Sequence, residues 1–361
     1  MAAKHYSLAV LPGDGIGPEV IDAALTVLGS VEKREGFSTT ITHGLIGGAA
    51  FEAHGQHLPQ ETIERCRTSS AILFGSVGGP VAEATLPKWV DCERRSILAI
   101  RKEFGFFANI RSLDVPVGLE QLSPLRADLM QGGHSLVVVR ELLGDIYFGE
   151  HRTEGVSPDR IATDAAVYRE SEIIRIARLA FLIARERSGR VVSVDKANVL
   201  DTSRLWRTVV SSVHEEFPEV TLEHMLVDNC AMQLVRNPKQ FDVLLCPNLF
   251  GDILSDIVSV LGGSLGLMPS ASLNESGFGL YEPAGGSAPD IAGKGIANPV
   301  GQILSLAMLL RYSWQLEGAA RAVESAVATT LSAGVKTRDL CVAGETAVST
   351  MEFAEAVAAR L

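Results

Sequence analysis

The chain has 361 residues, of which 47% are hydrophobic and 21% are charged, and its formal net charge is −11. Because single hydrophobic cores stop growing near ~250–300 residues, this length predicts two domains. The negative charge, with lysines and arginines dispersed along the chain, would repel a phosphate backbone. It therefore argues against nucleic acid or an anionic membrane as a partner.

Cysteine usage and the N-terminal sequence bear on the compartment. The five cysteines show no CxxC spacing, so reduced thiols are expected rather than disulfides or a zinc site. The apolar run from Leu8 to Leu11 is too short for a signal peptide, and no segment has the ~20 apolar residues of a membrane span. We therefore expect a cytoplasmic protein, or an organellar one whose transit peptide has been removed.

Short β-rich runs alternate with segments of helical periodicity along the chain. The pattern predicts strands at 7–11, 71–77, 135–140, 191–194 and 241–246, and helices at 19–33, 172–187, 299–317, 318–331 and 350–360. Alternation of this kind predicts an α/β fold. Loops whose backbone amides can approach a ligand are predicted in the Gly/Pro-rich stretches at 13–19, 75–80, 261–272 and 282–299.

Two aspartates are candidate metal ligands. The sequence NLFGDILSD places Asp252 and Asp256 four residues apart in a segment of helical spacing. Both carboxylates then lie on one helix face, with roughly 5–6 Å between their Cβ atoms. Such a pair suits Mg²⁺ or Mn²⁺, which prefer oxygen ligands. The structural alternative makes Asp252 a helix N-cap and Asp256 a solvated surface charge.

Three arginines are candidate ligands for an anion: Arg101 in ILAIRKEFG, Arg111 in FANIRS and Arg140 in LVVVREL. Arg140 ends a run of β-branched residues that predicts a buried strand, where an unpaired guanidinium is costly. Its partner is then either Glu141 or another internal carboxylate, or a dicarboxylate substrate bound in bidentate fashion. The residues alone leave both readings open.

Tyr147, Lys196 and Asp228 are candidate groups for proton transfer. Lys196 lies at the end of the strand predicted at 191–194, and ligands bind at strand ends in open α/β sheets. A tyrosine or lysine serves as general acid or base when neighbours shift its pKa, and Asp228 offers a carboxylate to orient Lys196 or join the metal. The structural alternatives are packing for Tyr147, a surface charge for Lys196 and an N-cap for Asp228.

The cofactor signal differs from the usual dinucleotide fingerprint. The stretch GDGIGPE has glycines at 13, 15 and 17, so GxGxxG is absent and a Rossmann fold is not expected. The stretch GGSAPDIAGKGIANP instead offers small residues, with Asp290 placed to accept hydrogen bonds from ribose hydroxyls. Because a 2′-phosphate would meet this carboxylate, NAD is favoured over NADP.

Nine segments in chain order together resemble the β-decarboxylating dehydrogenases of the isocitrate/isopropylmalate dehydrogenase family, and most closely its 3-isopropylmalate dehydrogenases. The resemblance runs from about residue 7 to the C-terminus. The segments that carry it are LPGDGIGPEV, GSVGGP, FANIR, VRELLGDIYFGE, SVDKANVL, LVDNCAMQLV, NLFGDILSD, LMPSASL and EPAGGSAPDIAGKGIANP.

The resemblance implies a role for each matching position. It implies Tyr147 as the general acid and Lys196 as the base, oriented by Asp228 and supplied by the partner subunit. The implied clamps for the malate carboxylates are Arg101, Arg111 and Arg140. The implied metal ligands are Asp252, Asp256 and, across the dimer interface, Asp228. The implied NAD-binding residues are Ile16, Glu282, Gly286, Ser287, Ala288, Pro289, Asp290, Ile291 and Asn298.

The resemblance also implies an architecture and an activity. The fold would have two α/β domains with the active site in the cleft between them. Residues 1–106 and 263–361 would form the cofactor-binding domain, and residues 107–262 the substrate, metal and dimerisation domain. The implied activity is NAD-dependent oxidative decarboxylation of 3-isopropylmalate in leucine biosynthesis, assisted by Mg²⁺ or Mn²⁺ and carried out by a homodimer with shared active sites.

The segment before Arg101 departs from the family pattern. Residues 81–86 are inserted after GSVGGP, and Arg95 and Ser96 stand where small residues are typical. Further along, Leu143 and Asp145 stand in place of the usual Thr and Gly, close to Tyr147. These differences put the shape of the substrate pocket in question.

The substituent at C3 of the substrate is the property that these departures leave open. Glu93, Ile97 and Leu98 still match the acidic and apolar positions of the family and are the predicted contacts for an alkyl substituent. Arg94 and Arg95 leave open an acidic one, as in homoisocitrate. Another alkyl- or aralkyl-malate of specialised metabolism, and a non-catalytic regulatory subunit, are further alternatives.

Overall fold

The computed structural model describes residues 4–115 and 120–361. Residues 1–3 and 116–119, which fall within the predicted domain ranges, lie outside the described residues. The strands are β1 His5–Gly13, β2 Ser38–His43, β3 Ala71–Ser76, β4 Ala108–Val115, β5 His134–Glu141, β6 His151–Glu154, β7 Ile161–Asp164, β8 Arg190–Asp195, β9 Thr221–Leu226, β10 Val243–Cys246, β11 Pro269–Leu273 and β12 Gly279–Pro283. The α-helices are α1 Gly17–Glu35, α2 Gly47–His54, α3 Gln60–Arg67, α4 Cys92–Arg95, α5 Ile97–Glu103, α6 Ala127–Met130, α7 Glu170–Arg185, α8 Asp201–His214, α9 Val227–Arg236, α10 Asn248–Leu261, α11 Val300–Tyr312, α12 Glu317–Ser332 and α13 Thr350–Ala358.

One mixed sheet runs through the described chain in the order β2-β1-β3-β12-β11-β4-β5-β10-β8-β9. The five strands at the β2 end come from residues 5–76 and 269–283, so segments far apart in sequence meet there, and the other five come from residues 108–246. Pairing is antiparallel from β12 through β11 and β4 to β5, and parallel elsewhere. The division into domains at residues 106 and 263 stays a prediction.

Helices cover the sheet because each presents an apolar stripe to it. In α7 the buried positions Ile173, Ile176, Ala177, Ala180 and Phe181 follow the spacing of one helix face. Strand β3 is buried along its whole length, as expected for a parallel strand with both faces covered. Among the described residues no helix combines the length and hydropathy needed to cross a bilayer.

The predicted elements are largely confirmed, with two corrections. The helix predicted to reach residue 317 ends at Tyr312, because Gln315 adopts a left-handed backbone with φ 54° and breaks the hydrogen-bond ladder. The loop predicted at 261–272 was wrong in its last part, since Pro269–Leu273 is a buried strand. Its Gly/Pro-rich surroundings hide a short strand whose pairing with β4 and β12 is set by tertiary contacts.

The end of β5 leads directly into the loop that carries Tyr147. Successive residues of a strand face opposite sides, so Arg140 and Glu141 point away from each other. Glu141 is fully buried, and its carboxylate accepts hydrogen bonds from the backbone N–H groups of Leu143 at 3.0 Å and Gly144 at 2.7 Å. Burial raises the pKa of the Glu141 carboxyl to about 7, although these hydrogen bonds lower it.

This buried carboxyl predicts a pH dependence of stability. Because its folded-state pKa lies above the ordinary value of 4.5, its contribution to stability is complete below that pH and is lost as pH rises towards 7. Between pH 4.5 and about 7, the free energy of unfolding falls by up to about 3 kcal/mol. We expect Glu141→Gln to flatten this part of the profile, as measured by urea unfolding at several pH values and one protein concentration. Parallel profiles for the two proteins would contradict the expectation.

Candidate active site

The register of the central strands aligns charged side chains in one row. Glu282 of β12 lies opposite Ser270 of β11, and Ser270 lies opposite Arg111 of β4. Directly opposite residues share a face of the sheet, so these three side chains project to the same side. Arg111 in turn lies opposite Val138, two residues before Arg140 on β5. The β-sheet thus brings Glu282, Arg111 and Arg140 to one face.

Helix α10 supplies the opposing wall of this site. Asn248, Asp252, Ser255 and Asp256 recur at the spacing of one helix face and all lie near arginines of the sheet. Gly251 lets the helix approach closely, since a Cβ at this position would lie 2.7 Å from Cγ of Arg140. The N-cap alternative for Asp252 is wrong, because α10 begins at Asn248 and Pro247 is its N-cap.

Arg140 is the most deeply buried of the three arginines, with 2% of its surface exposed. Its Nε and Nη2 donate to Oδ1 of Asn248 at 3.0 and 2.8 Å, and its Nη1 forms an ion pair with Asp252. Glu141, the neighbour considered as its partner, is not one, because its side chain lies on the other face of β5. The internal carboxylate that pairs with Arg140 is Asp252.

Arg101 and Arg111 complete the cationic side of the site. Arg101 reaches from α5 and donates from Nη2 to Oε1 of Glu282 at 2.9 Å. Arg111 donates to Oγ of Ser255 at 2.7 Å and lies 3.5 Å from a carboxylate oxygen of Asp256. Among the described residues, Nε of Arg101 and Nε of Arg111 are buried and have no hydrogen-bond partner. Unused buried donors of this kind favour an anionic ligand.

The charges of the site shift one another's pKa values. Burial, together with repulsion from the nearby Arg111 and Arg101, lowers the pKa of Arg140 to about 10, although Asp252 opposes this shift. Burial raises the pKa of Asp252, but Arg140 and Arg111 outweigh this and hold it below the usual value. Asp256 responds in the opposite direction, because burial raises its pKa and Asp252 adds repulsion. Arg140 therefore stays cationic near neutral pH.

Tyr147 lies at the edge of the same cluster. Its hydroxyl donates to Oδ2 of Asp252 at 2.9 Å, and the Arg140 guanidinium lies 5.8 Å from its ring centroid. Burial and the Asp252 carboxylate raise the pKa of Tyr147 to about 12. The phenol is therefore neutral near pH 7 and retains the proton that a general acid needs.

Lys196 and Asp228 form a separate pair. Lys196 directly follows β8, and its Nζ donates to Oδ1 of Asp228 at 2.7 Å. Asp228 is the second residue of α9 rather than its N-cap, and Lys196 holds its pKa below the usual value. No hydrogen bond or ion pair among the described residues joins this pair to Tyr147, Asp252 or Asp256.

One copy of the described chain does not provide a full set of ligands for a metal ion. In residues 4–115 and 120–361, no three His, Cys, Asp or Glu side chains are arranged to hold an ion. Asp252 and Asp256 provide two carboxylates on one face of α10, and the Asp256 side chain is 65% exposed. Oxygen ligands of this type fit Mg²⁺ or Mn²⁺, provided that further ligands come from elsewhere.

The predicted cofactor stretch forms an exposed loop between β12 and α11. Ile16 donates its backbone N–H to the Ser287 carbonyl at 2.8 Å, which joins this loop to the start of α1. Asp290 is exposed, and its carboxylate has no partner among the described residues, so it is free to accept hydrogen bonds. Asn298 is already engaged, since it donates to Asp339 at 2.9 Å and accepts from Val300. The other positions predicted to bind the cofactor in this loop are Gly286, Ala288, Pro289 and Ile291.

The three residues predicted to contact the C3 substituent differ in their burial. Ile97 packs with Ile100 and Phe106 in a hydrophobic cluster, whereas Leu98 is half-buried. Glu93 is exposed and close to Gly78, where a Cβ would lie 2.9 Å from its carboxylate. The inserted residues 81–86 lie at the surface.

Sequence reasoning missed Asn248 and Ser255, which hold the guanidinium groups of Arg140 and Arg111. Both lie within the NLFGDILSD segment, four residues before and three residues after Asp252. Considering every polar residue on that helix face, and not the aspartates alone, would have found them. Asp14 was also missed. Its buried carboxylate accepts backbone hydrogen bonds from Gly48 and Ala49 at the start of α2 and from Gly78 in the loop after β3, and so joins these two segments.

Comparisons with known proteins identify the family to which the chain belongs. The family model described as isocitrate/isopropylmalate dehydrogenase matches residues 7–357. Proteins named 3-isopropylmalate dehydrogenase are 54% identical to this chain in Escherichia coli, over 99% of this chain and 98% of theirs, and in Pseudoalteromonas translucida, over 100% of both.

Solved structures give the same result at the level of the fold. The crystal structure of isocitrate dehydrogenase from Methylococcus capsulatus is 33% identical, has a TM-score of 0.86 and covers 98% of this chain and 99% of its own. A β-decarboxylating dehydrogenase from Thermococcus kodakarensis is 37% identical, with a TM-score of 0.77, over 98% and 96% of the two chains. The chain therefore belongs to the isocitrate/isopropylmalate dehydrogenase family of enzymes and has its two-domain α/β fold.

Proposed function

We propose that this enzyme catalyses the NAD-dependent, divalent-metal-assisted oxidative decarboxylation of 3-isopropylmalate to 4-methyl-2-oxopentanoate, a reaction of leucine biosynthesis. The observation that carries the proposal is the cluster of three buried arginines facing two aspartates and a tyrosine. The identity of 54% with proteins named for this substrate supports it over nearly the full length.

The substrate would be held by its two carboxylates. Arg101, Arg111 and Arg140 present planar donor groups that suit bidentate carboxylate binding. In the structure they are compensated by Asp252, Asp256 and Glu282, so the bound diacid would replace internal partners with its own charges. Because the arginines are buried, carboxylates of the substrate would interact strongly with them and keep their charges compensated after the exchange.

Two side chains would move protons. Lys196, held by Asp228, would take the proton of the substrate hydroxyl as C2 is oxidised. After CO₂ has left, Tyr147 would donate its hydroxyl proton to C3. Its raised pKa of about 12 would keep this proton on the phenol until that step. Because no hydrogen bond or ion pair joins Lys196 and Asp228 to the Tyr147 cluster of the same described chain, we propose that they serve the partner subunit's site.

The cofactors are proposed on the chemistry of the residues present. When bound, NAD would accept the hydride from C2, and a divalent ion would act as a Lewis acid on the developing enolate. The free carboxylate of Asp290 supports NAD rather than NADP, since it would accept from ribose hydroxyls and repel a 2′-phosphate. Asp252 and Asp256, with the partner subunit's Asp228, would hold the ion.

A homodimer is supported by apolar side chains left exposed on two neighbouring helices. Met232 and Val235 of α9 are 61% and 50% exposed, and Ile253 and Val260 of α10 are 53% and 48% exposed. The β6–β7 hairpin is exposed at every residue, and a two-stranded hairpin alone is marginal in water. A second copy of the chain would cover these surfaces.

An acidic substituent at C3 is less well supported than an alkyl one. Arg95 pairs with Asp91 at 3.4 Å, and both Arg94 and Arg95 are exposed. Leu98 is the half-buried apolar residue of this segment. A non-catalytic regulatory role is opposed by the complete set of arginines and aspartates.

A substrate panel tests the proposed function. We expect NADH formation with 3-isopropylmalate and Mg²⁺, measured as absorbance at 340 nm. With NADP in place of NAD, or with homoisocitrate in place of 3-isopropylmalate, we expect kcat/KM to be at least ~10-fold lower. Such a decrease corresponds to a loss of about 1.4 kcal/mol or more of transition-state binding energy. Malate with other C3 alkyl groups serves as the matched control. Turnover of homoisocitrate alone, or of none of these acids, would contradict the proposal.

A second prediction concerns the dimer. Met232→Lys would place a charge on each side of the proposed interface, where burial without a partner is unfavourable. We expect monomers by sedimentation velocity and a loss of kcat of about 100-fold or more, since Lys196 would no longer reach the partner's site. The control is Val342→Lys, at a residue that is 53% exposed outside these helices. A monomer with full activity would refute the shared site.

A further inference from the structure

Asp145 occupies a backbone conformation that ordinarily favours glycine. It lies between Glu141 and Tyr147, its φ is 70°, and only 8% of its surface is exposed. Glycine is the more usual residue at this position in the family that the sequence resembles. Aspartate tolerates the left-handed region better than most residues, but still at some cost. The hydrogen bonds of its side chain offset this cost.

The Asp145 carboxylate is hydrogen-bonded to the start of α10. Its Oδ2 accepts from the backbone N–H of Leu249 at 3.1 Å and from the hydroxyl of Tyr168 at 3.4 Å. The N–H of Leu249 belongs to the first turn of the helix, where backbone donors have no partner within the helix. A carboxylate at this position also interacts favourably with the helix dipole.

The same helix meets the loop a second time through Tyr147. Two residues after Asp145, the Tyr147 hydroxyl donates to Asp252 on the second turn of α10. Tyr168, which contacts Asp145, also accepts from the backbone N–H of Asn248 at 2.8 Å. The loop and the helix are thus joined directly at three points. Leu249 binds Asp145, Asp252 binds Tyr147, and Nδ2 of Asn248 donates to the Gly144 carbonyl at 3.1 Å.

We propose that Asp145 is a positioning residue, which fixes the loop that carries Tyr147 to the first turn of α10 and so sets the Tyr147 hydroxyl relative to the Asp252 carboxylate. The inference rests on the proposed function, in that Tyr147 is the group that protonates C3. Placement matters at this step, because a shift of about 1 Å in a reacting group can cost about 100-fold in rate.

The first test is Asp145→Gly, which suits the left-handed backbone and removes only the carboxylate. We expect kcat to fall about 10- to 100-fold with a KM for NAD that changes less than about 2-fold. Asp145→Asn keeps an acceptor for Leu249 and is expected to retain at least about a third of the activity. Gln315→Gly is the control, because Gln315 is also left-handed, with φ 54°, and lies outside the site.

A double-mutant cycle distinguishes positioning of Tyr147 from general destabilisation. In a Tyr147→Phe background, Asp145→Gly should cost less than about 3-fold, since the group that it positions is already gone. An equal cost in both backgrounds would overturn the proposal. Equal losses of kcat in Asp145→Asn and Asp145→Gly would also overturn it, because they would assign the effect to the negative charge of Asp145 and not to its hydrogen bond with Leu249.

Hydrogen exchange separates this inference from the proposed function. In Asp145→Gly, peptides covering residues 142–150 and 247–252 should exchange faster than in the unmodified protein, with no change in other regions. This result does not depend on which acid is the substrate. Unchanged exchange in both peptides would overturn the inference even if 3-isopropylmalate is turned over, and failure of that turnover with faster exchange would refute only the proposed function.

Discussion

The burial of Arg140 is the constraint on which the site depends. A guanidinium with 2% exposure at the centre of a β-sheet is tolerated only with anionic and hydrogen-bonding partners. Asn248 and Asp252 supply them from α10, which passes close by because residue 251 is glycine. The buried charge of Arg140 on β5 therefore constrains where α10 lies, and with it the positions of Asp252 and Asp256.

This arrangement has a consequence for ligand binding. The oxygens of Asp252 contact Arg140 and Tyr147 in the structure. Under the proposed function the same oxygens would also hold a divalent ion, so the two roles would compete. A dicarboxylate that binds Arg140 and Arg111 would release the oxygens of Asp252 from its arginine partners. The divalent ion would then neutralise the aspartate charge that the arginines no longer compensate. Substrate and metal would therefore each favour binding of the other.

Sequence reasoning was most successful where the signal is local. Helical spacing placed Asp252 and Asp256 on one face, and the strand predicted at 191–194 placed Lys196 at its end, as the structure confirms. It failed for β11, a strand in a Gly/Pro-rich stretch where tertiary pairing decides. It left the partner of Arg140 open, and the structure shows that partner to be the internal carboxylate of Asp252. The family and its fold were recognised because many short motifs occur in order, whereas the C3 substituent depends on residues 81–98, where the motif is interrupted.

The coupling between metal and diacid is the most direct test of this account. Isothermal titration of Mg²⁺ into the protein, with and without 3-isopropylmalate and in the absence of NAD so that no turnover occurs, measures it. The account predicts that the diacid tightens Mg²⁺ binding by about 5-fold or more, and that Mg²⁺ tightens binding of the diacid by the same factor. Equal Mg²⁺ affinity under both conditions would contradict the proposal that Arg140 exchanges Asp252 for the substrate.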